Sequence, residues 1–119
     1  MVDCRTTLRM LSILLLALVP RADAHAVLLS ATPAVRQVVA GSEVAVNLRF
    51  NSRIDGKRSR LMLIASDGTQ NRLPIGEQPS PDTLASLAKG LKSGSYILRW
   101  QVLANDGHIS RGEVPFRVQ

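Results

Sequence analysis

The sequence predicts an all-β domain: a small Greek-key β-sandwich or barrel of immunoglobulin-like size, with about seven strands. Several short segments alternate between apolar and polar residues with a period of two, the pattern of a half-buried strand. Glycine, proline and Asp-Gly pairs separate these segments, and no stretch has the periodicity of a long helix. Short strands separated by turn residues are typical of sandwiches and barrels.

The alternating segments give the order of the predicted strands. They are residues 26–30, 43–50, 60–66, 71–75, 95–104 and 112–119. Residues 34–41 are predicted to connect the first strand to the second, and residues 82–87 fit either a short strand or a helical turn. The turn pair Asp67-Gly68 makes the third and fourth strands a hairpin. Within 95–104, Tyr96 and Trp100 are predicted to point into the core.

Proline sets two further expectations. Pro74 should end the fourth strand, because proline has no backbone N–H to donate to a sheet. For the same reason, Pro115 indicates that the last strand lies at a sheet edge.

Residues 1–24 predict a cleaved Sec-type signal peptide. Arg5 and Arg9 precede the apolar run MLSILLLALV, and Ala22-Asp23-Ala24 fits the small-x-small pattern of a cleavage site. The run is about half the ~20 residues that a membrane-spanning helix needs, which disfavours an uncleaved anchor. We therefore expect an exported protein, located outside the inner membrane, whose mature domain is residues 25–119 with His25 as its first residue.

The composition of the mature domain excludes several kinds of partner. The single cysteine, Cys4, lies in the leader, so neither a disulfide nor a thiolate site is expected. The leader holds three of the 15 basic and two of the 9 acidic residues, leaving a net charge of +5. Basic residues are scattered except in 53–60, and aromatic residues are few, so no nucleic-acid partner is expected. No later segment is apolar over a membrane-spanning length, so the mature chain should not span a membrane.

The two histidines are the candidate metal ligands. As a first residue, His25 would offer an amine and an imidazole that chelate one ion. His108 follows Asp106 in Asn105-Asp106-Gly107-His108, which by itself predicts a hairpin turn and is weak evidence for a metal. Together these groups form a set of nitrogen and oxygen donors that suits Cu(II), with zinc as the alternative. No catalytic residue is predicted.

These motifs resemble the CopC family of periplasmic copper-binding proteins. HAVLLSATPA resembles the mature N-terminus of the family. GSYILRWQVLANDGHISRGEVPFRV, residues 94–118, resembles its pattern of Tyr-x-x-x-Trp, Asp-x-His and Gly-x-x-x-Phe-x-Val. The resemblance implies one Cu(II) per chain, bound by the amine and imidazole of His25, by Asp106 and by His108. It also implies a non-enzymatic protein that sequesters or delivers copper in resistance or homeostasis, often beside a CopD-type inner-membrane partner.

Two features found in some members of the family are not matched. A glutamate after the phenylalanine of the second strand is missing, because residues 49–56 read RFNSRIDG with Ser52 near that place. The mature chain has only Met62, in a predicted strand, whereas a Cu(I) site needs several soft thioether ligands. We therefore expect one Cu(II) site and no methionine-rich Cu(I) site.

Two other functions compete with copper binding. A terminal histidine and a second histidine also form the histidine brace of copper oxidases and polysaccharide monooxygenases. An aspartate ligand would crowd the position that oxygen must reach there, and the domain has few aromatic residues to hold a glycan. The other alternative is an immunoglobulin-like interaction module that binds no metal.

Overall fold

Eight β-strands in two sheets make up residues 25–119, the part of the chain that the computed structural model describes. The signal peptide predicted for residues 1–24 lies outside the described residues. The strands are β1 (Leu28–Thr32), β2 (Val38–Val39), β3 (Val44–Phe50), β4 (Ile54–Ala65), β5 (Gln70–Leu73), β6 (Thr83–Ala88), β7 (Gly94–Ala104) and β8 (Ile109–Val118). The all-β prediction is confirmed, and the described residues contain no helix that could cross a membrane.

The two sheets pack as a sandwich. The smaller sheet has the order β1-β3-β6 and the larger the order β2-β8-β7-β4-β5. The chain moves between the sheets at most connections, while the hairpins β4–β5 and β7–β8 stay within the larger sheet. All pairs are antiparallel except β2 with β8. This crossing pattern agrees with the predicted Greek-key architecture.

The alternation seen in the sequence matches the burial pattern of the strands. In β3 every second residue, from Val44 to Phe50, is buried. In β7 the inward positions include Tyr96 and Trp100, only 9% and 7% exposed, which confirms their predicted place in the core. The Trp100 ring packs edge to face against Phe50, which belongs to the other sheet, with the ring centroids 5.2 Å apart. Tyr96 stacks on Phe116 with a centroid distance of 5.7 Å. The first contact joins β7 to β3 of the smaller sheet, and the second joins it to β8, its neighbour in the larger sheet.

Three elements differ from their predicted extent. β4 begins at Ile54, whereas the predicted strand began at residue 60. The residues of β4 between Asp55 and Arg60 form a bulge, because they lie opposite a single residue of β7. Residues 82–87, ambiguous in sequence, contribute to strand β6, because this segment pairs with β3 along its length. The connection 34–41 contains the two-residue strand β2, which was not predicted.

The two predictions made from proline have different outcomes. β5 ends at Leu73, directly before Pro74, as predicted. The prediction that the last strand lies at a sheet edge is wrong, because β2 pairs with β8 and is itself the outermost strand of that sheet. That pairing covers only Arg117 and Val118, so Pro115 lies on the part of β8 that β2 leaves unpaired.

A glycine on β8 makes room for the core tryptophan. Gly112 pairs with Trp100 across the β7–β8 ladder. A Cβ atom added at Gly112 would lie 2.3 Å from Cζ2 of the indole, closer than real carbon contacts allow. The indole therefore packs directly on the backbone of β8.

We predict that Gly112→Ala destabilises the domain by about 1–3 kcal/mol, because the new methyl group must displace the Trp100 ring or the backbone of β8. Urea unfolding followed by the fluorescence of this single tryptophan measures the change. Gly76→Ala is the matched control, since its Cβ would lie 3.7 Å from the nearest atom. An unfolding midpoint for Gly112→Ala equal to that of the control would contradict the prediction.

Candidate metal centre

His25 lies in a short extended segment before β1. Ala26 is buried in the core at 4% exposure, whereas His25 and Val27 on either side of it are exposed. Val27 is held at the end of β3: its N–H donates to Oδ1 of Asn51 at 2.8 Å, and its carbonyl accepts from the N–H of Asn51 at 3.0 Å. The burial of Ala26 and the hydrogen bonds of Val27 therefore hold the segment that carries His25 against the sandwich.

The second histidine lies at the tip of the β7–β8 hairpin. The N–H of Gly107 donates to the carbonyl of Ala104 at 2.9 Å, and the N–H of Ala104 donates to the carbonyl of His108 at 2.9 Å. Gly107 has a φ of 86°, in the left-handed region where a side chain is disfavoured. The loop predicted from the Asp-Gly pair is confirmed as a hairpin turn.

Asp106 binds both the backbone and the ring of His108. Its Oδ1 accepts the N–H of His108 at 3.0 Å, and its Oδ2 lies 2.9 Å from Nδ1 of the imidazole. The hydrogen bond from the His108 side chain, followed by that from the His108 backbone, lowers the pKa of Asp106 below its ordinary value. The contact engages Nδ1, so Nε2 is the ring nitrogen that a metal would use.

The two histidines meet at one end of the sandwich, although they are far apart in sequence. Their ring centroids lie 5.6 Å apart, with the planes at 70°. Two imidazoles that share one ion have centroids within roughly 6 Å, since a metal–nitrogen bond is about 2.0–2.1 Å long. The His108 side chain is 58% exposed and that of Asp106 is 32% exposed, so an ion can reach them from solvent.

The three predicted ligands are brought together in pairs. His108 contacts His25 on one side and Asp106 on the other. Within residues 25–119, no three histidine, cysteine, aspartate or glutamate side chains form a group already arranged to hold a metal ion. The N-terminal amine, the remaining predicted donor, exists only in a chain that begins at His25.

The connection between β3 and β4 lies beside these ligands. Ser52 and Arg53 line an open hollow of about 370 Å³ together with residues 104–106. The sequence placed Ser52 near the position of the glutamate found in some CopC proteins, but it is Asn51 that bonds the N-terminal segment. Sequence reasoning missed this residue, because an asparagine after a strand is also typical of a simple turn. Met62 lies in β4, as predicted, and pairs with Arg99.

Comparison with known proteins identifies the family. The family model described as the CopC domain matches residues 28–119. The chain belongs to the CopC family. The matched range contains Asp106 and His108, and it begins three residues after His25. The resemblance inferred from the sequence is therefore confirmed at the level of the family.

Individual relatives extend across nearly the whole chain. Protein YobA of Escherichia coli (strain K12) is 31% identical over 113 residues, which cover 92% of this chain and 91% of YobA. Protein YobA of Shigella flexneri matches to the same extent. The similarity to these relatives thus extends along most of their own length.

Solved structures share the fold. CopC from Methylosinus trichosporium OB3b superposes with a TM-score of 0.72 and 32% identity, covering 80% of this chain and 94% of that protein. PcoC, a methionine-rich copper resistance protein from Escherichia coli, superposes with a TM-score of 0.69 and 21% identity, covering 81% and 100%. The sandwich of this chain is thus the sandwich of the CopC family.

The contact between Asp106 and His108 can be tested without metal. We predict that His108→Ala raises the pKa of Asp106 towards its ordinary value, because the first cause of the lowered value is the hydrogen bond to the ring. An NMR titration of the aspartate carboxyl carbons in the metal-free protein measures this. Asp67 is the internal control, because the bonds that lower its pKa come from Thr69. An Asp106 titration that is the same in the variant and the unmodified protein would refute the assigned contact.

Proposed function

We propose that this CopC-family chain is a periplasmic copper-binding protein that sequesters or delivers Cu(II) in copper resistance, and that it acts by binding rather than by catalysis. The observation that carries the proposal is the 5.6 Å approach of the His25 and His108 rings, with Asp106 bonded to the second ring. PcoC, which shares the fold, is a copper resistance protein, and this agrees with the proposed role.

In the proposed site, one Cu(II) is bound by the amine and imidazole of His25, by Asp106 and by the imidazole of His108. Amine and imidazole nitrogens with a carboxylate oxygen are the donors of tetragonal Cu(II) sites. The Irving–Williams order also gives such a set its highest affinity for copper among the divalent metals. The Asp106 carboxylate already accepts hydrogen bonds from His108, so it must share or exchange that contact to bind the ion directly.

The exposure of the site suits a protein that exchanges its metal. His25 is exposed, and more than half of the His108 side chain is accessible. A partner can therefore reach the ion without unfolding the domain. A CopD-type inner-membrane protein is the partner we propose, because delivery across the membrane needs a protein that spans it.

Export and formation of the site are linked in this proposal. Removal of residues 1–24 by a signal peptidase converts the His25 peptide nitrogen into a free amine. An amide nitrogen binds a metal ion only after it loses its proton, whereas a neutral amine next to an imidazole closes a chelate ring on one ion directly. The complete ligand set is then present only in the exported protein.

One added residue tests the proposal. In the mature protein, a glycine placed before His25 should weaken Cu(II) binding by more than the ~10–100-fold typical of substitutions around the ligands, because it displaces the amine itself. Competition with a chelator of known affinity measures the change. The EPR spectrum should change, because the terminal amine no longer forms the same chelate ring with the His25 imidazole.

The control carries the same glycine after Gln119, at the other end of the domain. It should bind Cu(II) like the mature protein, with one ion per chain. If the mature protein itself fails to bind Cu(II) at micromolar concentration, the proposed function is wrong. Equal affinity for both extended proteins would disprove the role of the His25 amine.

The affinity should also fall as the pH falls. An α-amine titrates near ~8 and histidine near ~6.5, and each must lose its proton to bind copper. Asp106 adds little to this dependence above pH 5, since its pKa is already lowered. We expect binding to be at least ~100-fold weaker at pH 5.5 than at pH 7.5. His108→Ala should flatten the profile by one proton, and an unchanged slope would exclude this imidazole as a ligand.

A further inference from the structure

We infer that Asn51 is a positioning residue that holds the N-terminal ligand of the copper site in place. The inference rests on the proposed Cu(II) site and adds to it a residue that does not touch the metal. It follows from two hydrogen bonds in opposite directions between Asn51 and Val27, of 2.8 and 3.0 Å. Val27 is only two residues from His25, so these bonds determine where the terminus can lie.

The two bonds continue the pairing of β1 with β3 past the end of both strands. The ladder reaches Leu28 opposite Phe50, with an irregular register next to it. One pair further on, Asn51 faces Val27 and supplies its own N–H as the donor and its side-chain Oδ1 as the acceptor. A side-chain amide thus takes the place of a backbone carbonyl. The segment that bears His25 is thereby held as an extension of the sheet.

The β7–β8 loop, which carries the other ligands, is also hydrogen-bonded to the connection between β3 and β4. The N–H of Asn105, in the β7–β8 loop, donates to the carbonyl of Arg53 at 3.1 Å. Residues 51–53 therefore contact the N-terminal segment on one side and the loop that carries Asp106 and His108 on the other. Both ligand-bearing segments are positioned against one short stretch of backbone. Ligands held in this way need little reorganisation to bind a metal.

Only one of these two links depends on the type of side chain. The Arg53 link uses a backbone carbonyl, which every residue provides. In the Asn51 link, the bond donated by the backbone N–H of Asn51 does not depend on the side chain, whereas the bond to Oδ1 needs a side-chain oxygen at the right distance, so alanine at this position removes that second bond. Asn51 is exposed, and its Oδ1 is already bonded to the Val27 N–H. It therefore acts on copper through the backbone rather than as a ligand.

The test compares Asn51→Ala with Asn71→Ala in the mature, fully processed protein. Asn71 is an exposed asparagine on the edge strand β5 and serves as the matched control. We expect Asn51→Ala to weaken Cu(II) binding about 10-fold or more, the size typical of residues that orient metal ligands. Asn71→Ala should leave the affinity unchanged. Cu(II) affinity by chelator competition and the EPR spectrum are the measurements, with the metal-free melting temperature recorded alongside.

A double-mutant cycle separates positioning from a general effect on folding. In the protein with a glycine before His25, the amine is already displaced, so Asn51→Ala should cost less affinity than in the mature protein. An equal loss in both backgrounds, or no difference between Asn51→Ala and Asn71→Ala, would overturn the inference. Asn51→Ser, which lacks the Oδ1 atom bonded to the Val27 N–H, replaces the alanine variant if that variant does not fold.

Failure of the inference can be told apart from failure of the proposed function. A mature protein that binds no Cu(II) overturns the proposed function, whatever the variants do. A mature protein that binds Cu(II) with the His25 amine, together with an Asn51→Ala variant of unchanged affinity and EPR spectrum, overturns the role of Asn51 alone.

Discussion

The pairing of β1 with β3 is the constraint on which the candidate metal centre depends. β1 is an edge strand of the smaller sheet and runs antiparallel to β3, so its first residues lie beside the end of β3. Ala26 is buried in the core there, and its neighbours His25 and Val27 are therefore directed to the surface. This pairing brings the start of the domain to the end of the sandwich where the β7–β8 hairpin turns.

The position of the β7–β8 hairpin is set by a long ladder of paired residues that packs on the core. β7 and β8 pair from Gly94 opposite Val118 to Leu103 opposite Ile109. Trp100 lies against Gly112 on one side and against Phe50 on the other, which joins the hairpin to the smaller sheet. The loop that carries Asp106 and His108 thus begins and ends next to paired residues of the ladder. Ligands on rigid elements lose less entropy when they bind a metal than ligands on mobile loops.

The proposed copper site needs only three residues of the sandwich, His25, Asp106 and His108, and one cleavage of the peptide chain. The structure provides two imidazoles and a carboxylate, and the cut before His25 would add the amine. Hydrogen bonds from the ring and backbone of His108 lower the pKa of Asp106, which favours the ionised carboxylate that binds a metal ion. In the proposed site, the ligands come from a terminal segment and a loop, and the His25 and His108 side chains are both exposed.

The sequence by itself determined six of the eight strands, the Asp-Gly turn before His108 and the identity of the candidate ligands. These features are local: period-two alternation, turn residues and donor chemistry can be read within a few positions. Only the tertiary structure decided that 82–87 forms a strand, that His25 meets His108, and that Asn51 bonds the N-terminal segment. Each of these depends on which strands become neighbours. That choice is made by burying the faces of two sheets against each other, so no local pattern specifies it.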